Sequence, residues 1–201
     1  MRQPAAARRY TCKVRTSCAV ILLLGIFGMA LPAKAQNQTP KLEVYGGYDY
    51  VRFDINASVS GVPPTESVNL NGGSGQLEYN ANNSLGIVGD LGGYYGSTAG
   101  GRGGAFSYLF GPRLNLRRDR ITPFAQVLLG GFLSSSGIGR PGPENHFAMS
   151  AGGGLDFKVS RLIAIRPVQA EYFMTTLPDG LNNRQNNFRF STGIVFRFGG
   201  K

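Results

Sequence analysis

Residues 188–198 read FRFSTGIVFRF. Phe188, Phe190, Thr192, Ile194, Phe196 and Phe198 occupy one parity, and Arg189, Ser191 and Arg197 the other. A period of two is the signature of a β-strand with one apolar and one polar face. The run is also long. Strands of globular proteins average about 5–6 residues, whereas a tilted strand needs about 9–11 to cross a bilayer.

The same pattern recurs seven times upstream. Leu42, Val44, Gly46, Tyr48 and Tyr50 alternate with Glu43 and Asp49. Leu77 and Tyr79 stand against Gln76 and Glu78, and Leu85, Ile87, Leu91 and Tyr95 against Asp90. Phe106, Tyr108, Phe110, Leu114 and Leu116 alternate with Ser107, Arg113 and Asn115, and Ala125, Val127, Leu129 and Leu133 oppose Gln126. Phe147, Met149, Ala151, Leu155 and Phe157 oppose Ser150, Asp156 and Lys158. In the seventh stretch Ile163 and Ile165 share a parity, but beyond Pro167 the apolar positions become Val168, Ala170 and Tyr172. A bulge at Pro167 accounts for the slip, because proline cannot donate to the ladder and one extra residue exchanges the faces.

Short polar connections at 80–84, 117–120 and 160–161 alternate with longer ones near 56–67, 97–103, 134–146 and 175–186, rich in Gly, Pro, Ser and Asn. Eight strands joined this way make an up-and-down meander. A soluble sandwich would turn its apolar faces inward; a membrane barrel turns them to lipid and lines its interior with the polar set. Three features favour the barrel: strand length, the alternation of short and long connections, and Tyr48, Tyr50, Tyr95, Tyr108 and Tyr172 placed towards strand ends, where aromatic girdles sit. Gly72, Gly86, Gly92, Gly152 and Gly154 would relieve crowding inside a narrow, curved barrel. The sheet must close, because an open edge in lipid leaves backbone groups unpaired at several kcal/mol each. The expected fold is all-β, a closed antiparallel transmembrane barrel of eight strands over residues 36–201.

Residues 1–35 have the layout of a cleaved signal peptide. Arg2, Arg8, Arg9, Lys13 and Arg15 precede the uncharged stretch AVILLLGIFGMAL at 19–31, and Ala33-Lys34-Ala35 places the cut between Ala35 and Gln36. The chain's formal charge of +10 is mostly this leader, which takes six of the 21 basic residues and none of the 11 acidic ones. Nucleic-acid binding loses its support. Cys12 and Cys18 leave too, so no disulfide, thiolate nucleophile or cysteine-ligated metal is expected in the mature chain.

With these features FRFSTGIVFRF, VNLNG, LGIVGDLGGYYG, TPFAQVLLGG, GGGLDFKVS and IAIRPVQAEY resemble a small bacterial outer-membrane β-barrel of the outer membrane protein A-like superfamily, or porin family. The resemblance covers nearly all of residues 36–201 and is specific for fold and location, not for an activity. It implies an outer-membrane protein in contact with the lipids there and with the barrel-assembly machinery. Phe190, Ile194, Phe196 and Phe198 would carry the assembly signal, although Gly199-Gly200-Lys201 follow where the family ends on an aromatic residue.

The interior set expected from parity is Asp49, Glu78, Asp90, Arg113, Gln126, Asp156, Lys158, Arg166, Glu171, Arg189 and Arg197. Eight strands enclose a space just wide enough for side chains to fill, so these groups should pair into a polar plug. A small ion channel is the alternative reading. A lipid A-modifying enzyme is a weaker one. The one histidine, His146, shares a parity with Ser150, but four residues of strand separate them by about 13 Å, too far for a nucleophile and its base. GGSG at 72–75 and GGRGG at 100–104 lack the Lys-Ser/Thr and helix of a phosphate loop, and no metal-ligand cluster stands out. The expectation is a non-enzymatic, cofactor-free, monomeric barrel with a structural or surface-interaction role through its long loops and at most narrow permeability.

Overall fold

A computed structural model describes residues 39–55, 66–98, 101–134, 144–176 and 185–199. The expected leader with its Ala35–Gln36 cut, and most of the longer connections, lie outside the described residues. Eight strands follow in order: β1 (Leu42–Ile55), β2 (Glu66–Asn80), β3 (Leu85–Thr98), β4 (Gly101–Asn115), β5 (Ile121–Ser134), β6 (Glu144–Lys158), β7 (Ile163–Thr175) and β8 (Gln185–Phe198). Each pairs antiparallel with its sequence neighbours, and β1 pairs with β8 from Leu42↔Phe198 to Arg52↔Phe188, closing the barrel.

The strands are 13 to 15 residues long, more than the lipid-spanning run alone requires. Ladder pairing continues beyond the apolar band, where outward positions become polar at Arg52, Asn69, Asn71, Asn145 and Asn186. The tyrosines therefore stand within the strands rather than at their ends. Tyr48 donates to Asn71 and Tyr172 to Asn186, while Asn145 donates to the Tyr108 hydroxyl at 2.8 Å. These pairs mark the long-loop edge of the apolar belt, the place where an amphipathic ring has one end in lipid and the other in water.

One connection is shorter than its composition suggests. The glycine-rich segment near 97–103 is mostly strand, with Gly96↔Gly103 and Thr98↔Gly101 still paired, so two residues join β3 to β4. Short turns elsewhere are tied by side chains. Asn82 Oδ1 accepts from the backbone N–H groups of Ser84 and Leu85, both at 2.8 Å, and Ser160 Oγ accepts from those of Leu162 and Ile163. The slip in β7 is a bulge: Arg166 and Gln169 both point inward, Pro167 and Val168 both outward, and the β7–β8 register shifts between them.

Inside, Val51, Leu70, Tyr94, Phe132, Ala148 and Phe173 join Val88, Leu109 and Leu128 in one apolar cluster, drawn mostly from the long-loop halves of the strands. Below and beside it lie the charged groups. Glycine makes this filling possible. A Cβ at Gly152 would meet the Ala170 carbonyl and lie 2.6 Å from Glu171 Cα, and one at Gly154 would lie 2.8 Å from Phe124 Cζ.

Candidate functional site

The barrel interior is the site, and strand pleating builds it. Each inward residue is one step from an outward apolar one, so the lipid-facing pattern forces the polar set into the lumen. Buried there away from bulk solvent, charges must pair.

Three arginines organise the pairing. Arg113, on β4, donates from Nη1 to Glu78 Oε2 at 2.8 Å and from Nε to Gln126 Oε1 at 2.8 Å, and also reaches Gln76. Arg166, at the edge of the β7 bulge, grips Asp156 bidentately at 2.7 and 3.0 Å, and its Nη1 donates to Gln76 and Gln169. Arg189, on β8, donates from Nε to Glu171 at 2.7 Å, from Nη1 to Asp90 at 3.0 Å, and to the Tyr94 hydroxyl at 2.9 Å. Gln76 and Gln126 link the three systems by donating to Asp90 and Glu171 respectively. Side chains from β2 through β8 thus share one hydrogen-bonded network across the lumen. The Phe124 ring packs against two of the cations, its centroid 4.3 Å from each of the Arg113 and Arg166 guanidinium carbons. The ring face offsets part of the repulsion between like charges.

A second, smaller cluster closes the short-turn mouth. Glu43 pairs with Arg117 at 2.6 Å and Arg197 at 3.3 Å, and accepts from Asn80 at 3.1 Å.

Of the residues expected inside, Asp49, Glu78, Asp90, Arg113, Gln126, Asp156, Arg166, Glu171, Arg189 and Arg197 are buried. Lys158 is a correction. It has the inward parity of Asp156 but is the last residue of β6, where its ammonium reaches water at the short-turn mouth. Asp49 is buried but joins neither cluster. Sequence reasoning passed over Glu43, Gln76, Asn80, Asn115, Gln169 and the inward rings Tyr45, Tyr94 and Phe124. Parity places Glu43, Gln76 and Asn115 on the polar side, although the expected interior set left them out. Nothing in the alternation marks Phe124, whose role depends on arginines from two other strands.

Phe190, Ile194, Phe196 and Phe198 lie on the outer face of β8 beside β1, each between 44% and 47% exposed. Among described strand side chains on that face, Arg52 is the one formal charge. Ser150, four residues from His146, donates to Glu171 Oε1 at 2.9 Å and so belongs to the network. Among the described residues, no group of three His, Cys, Asp or Glu side chains is placed to hold a metal ion.

No protein-family profile matches the chain, and no curated protein does. Solved structures do share its architecture. Ail, the attachment invasion locus protein of Yersinia pestis, is similar at 17% identity with a TM-score of 0.54, over 80% of this chain and 99% of that one. Neisserial surface protein A is similar at 12% identity and 0.53, over 77% and 97%. The N-terminal β-barrel domain of Pseudomonas aeruginosa OprF is similar at 11% identity and 0.52, over 80% and 100%. The fold is that of the small eight-stranded outer-membrane barrels.

Proposed function

We propose that this chain is a bacterial outer-membrane barrel, exported by its leader, whose role is structural or interactive at the cell surface and whose lumen passes at most a narrow ion flux. One observation carries the reading: the lumen is filled. Arg189 is bonded to Asp90 across it, Arg113 to Glu78 two strands away and Arg166 to Asp156 on the neighbouring strand, all buried, and the apolar cluster around Leu128, Phe132 and Phe173 fills space beside them. Opening a path would require breaking buried ion pairs, each break leaving an uncompensated charge at about 3–5 kcal/mol. General porins use 16–18 strands instead.

The remaining surfaces are the apolar belt, which suits lipid contact, and the long connections, which suit a surface partner. Two similar folds belong to proteins named for attachment and for the bacterial surface, which agrees with that role by analogy of fold. The outward aromatics of β8 suit recognition by the assembly machinery. The reading is monomeric and non-enzymatic; Ser150, bonded to Glu171, would have to leave that network to act as a nucleophile.

Two measurements test it. The mature chain has no cysteine, so Ser136→Cys and Arg161→Cys report the two ends separately. On intact cells a membrane-impermeant maleimide should label Cys at 136 and reach 161 only after permeabilisation; protection of both would overturn the location. In planar bilayers the purified barrel should give no discrete conductance steps. Steps that change on neutralising Arg113 or Arg166 would replace this role with a small ion channel.

A further inference from the structure

The described buried interior holds six carboxylates, on Glu43, Asp49, Glu78, Asp90, Asp156 and Glu171. It holds five guanidiniums, on Arg113, Arg166, Arg189, Arg197 and, reaching in from its turn, Arg117. Every carboxylate but one has an arginine partner. The excess negative charge is Asp49, which is 0% exposed and has no hydrogen-bond partner at either carboxylate oxygen.

Its surroundings share that property. Ser191 stands directly opposite Asp49 across β1–β8, and Ser74 stands opposite Gly47, one inward position below Asp49, across β1–β2. Both hydroxyls lie against the carboxylate without meeting hydrogen-bond geometry. Tyr45 turns its ring up the lumen so that its hydroxyl takes the space a Gly47 side chain would fill. That hydroxyl is unpartnered as well. Five unpartnered buried oxygens, from Tyr45, Asp49, Ser74 and Ser191, therefore gather where β8, β1 and β2 meet. The charged groups that face Asp49 most closely, Arg189 and Asp90, are already bonded to each other.

We propose that Asp49, Ser74, Ser191 and the Tyr45 hydroxyl bind one dehydrated alkali cation of the sodium class inside the barrel. Carboxylate and hydroxyl oxygens are the donor set of hard cations. A single positive charge balances the interior, which a divalent ion would overshoot. The cation would also give the middle of β1 an ionic contact inside the lumen, where its other buried carboxylate, Glu43, is already paired at the short-turn mouth.

The test compares the folded barrel in detergent in sodium chloride and in choline chloride at equal ionic strength, choline being too large to enter. A ligand that binds only the folded state raises the unfolding midpoint, and a rise of about 5 °C in sodium is expected. Asp49→Asn should erase the difference between the salts, and Ser191→Ala should demand several-fold more sodium for the same rise. Crystals soaked in rubidium should show an anomalous peak among these oxygens, a readout that needs no variant to fold. Equal midpoints in both salts with no rubidium peak would overturn the site in favour of a protonated or hydrated Asp49. A sodium response that persists in Asp49→Asn would overturn it by placing the ion elsewhere.

Discussion

Arg189 and Asp90, 99 residues apart in sequence, meet across the lumen with Nη1 3.0 Å from Oδ1 and Nη2 3.3 Å from Oδ2. Their strands, β8 and β3, are not neighbours in the sheet. The pair is therefore a strut between opposite walls rather than a cross-strand contact, and its cost and value are those of a fully buried ion pair.

Arg189→Met should destabilise the barrel by about 3–5 kcal/mol, because Asp90 and Glu171 both lose their cation. Adding Asp90→Asn should recover part of the loss, since it removes one of the stranded charges. Denaturant unfolding of the refolded protein in lipid vesicles measures both. Asp90→Asn alone completes the cycle, and a cost that is the same with and without Arg189 would show that the two residues are not coupled.

Phe124 separates the contribution of packing from that of the ring face. Phe124→Leu keeps apolar volume but removes the aromatic surface that Arg113 and Arg166 both contact, at an expected cost of about 1–3 kcal/mol. Phe124→Ala also opens a cavity and should cost about 3–5 kcal/mol. If Phe124→Leu is neutral, the two cation–ring contacts contribute nothing measurable.

Glycine substitutions read out the two faces directly. Gly152→Ala drives a methyl into the β7 backbone at Glu171 and should cost about 1–3 kcal/mol. Gly93→Ala, on the outer face with nothing within 4 Å of the new atom, should be neutral or slightly stabilising. The same unfolding assay decides, and reversed signs would mean that the faces have been assigned the wrong way round.

The belt itself is tested by charge. Leu129→Arg, in its middle, should cost about 2–4 kcal/mol on folding into bilayers, whereas Asn69→Arg, beyond the tyrosine–asparagine pairs, should cost about 0–1 kcal/mol. Equal tolerance at the two positions would show that Leu129 does not face hydrocarbon.

Much of the architecture was legible beforehand because the pleat is a local rule with a period of two. FRFSTGIVFRF declares both faces of β8, and the phase slip after Ile165 locates the bulge at Pro167 from sequence alone. Strand ends were less legible. Pairing through Thr98↔Gly101 depends on the partner strand, and glycine-rich composition reads as loop where the ladder in fact continues. Lys158 shows the same limit in the lumen: parity specifies the direction of a side chain but not its depth.

The sequence by itself determined eight amphipathic strands, the side each turns to lipid and the residues each sends inward, since these follow from alternation and the need to pair every backbone group. Only the tertiary structure decided which of those residues meet. Arg189 finds Asp90, Phe124 meets both Arg113 and Arg166, and Asp49 is left without a guanidinium. Contacts across a lumen are set by the stagger and tilt of strands that do not touch, and these exist only once the eighth strand has closed on the first.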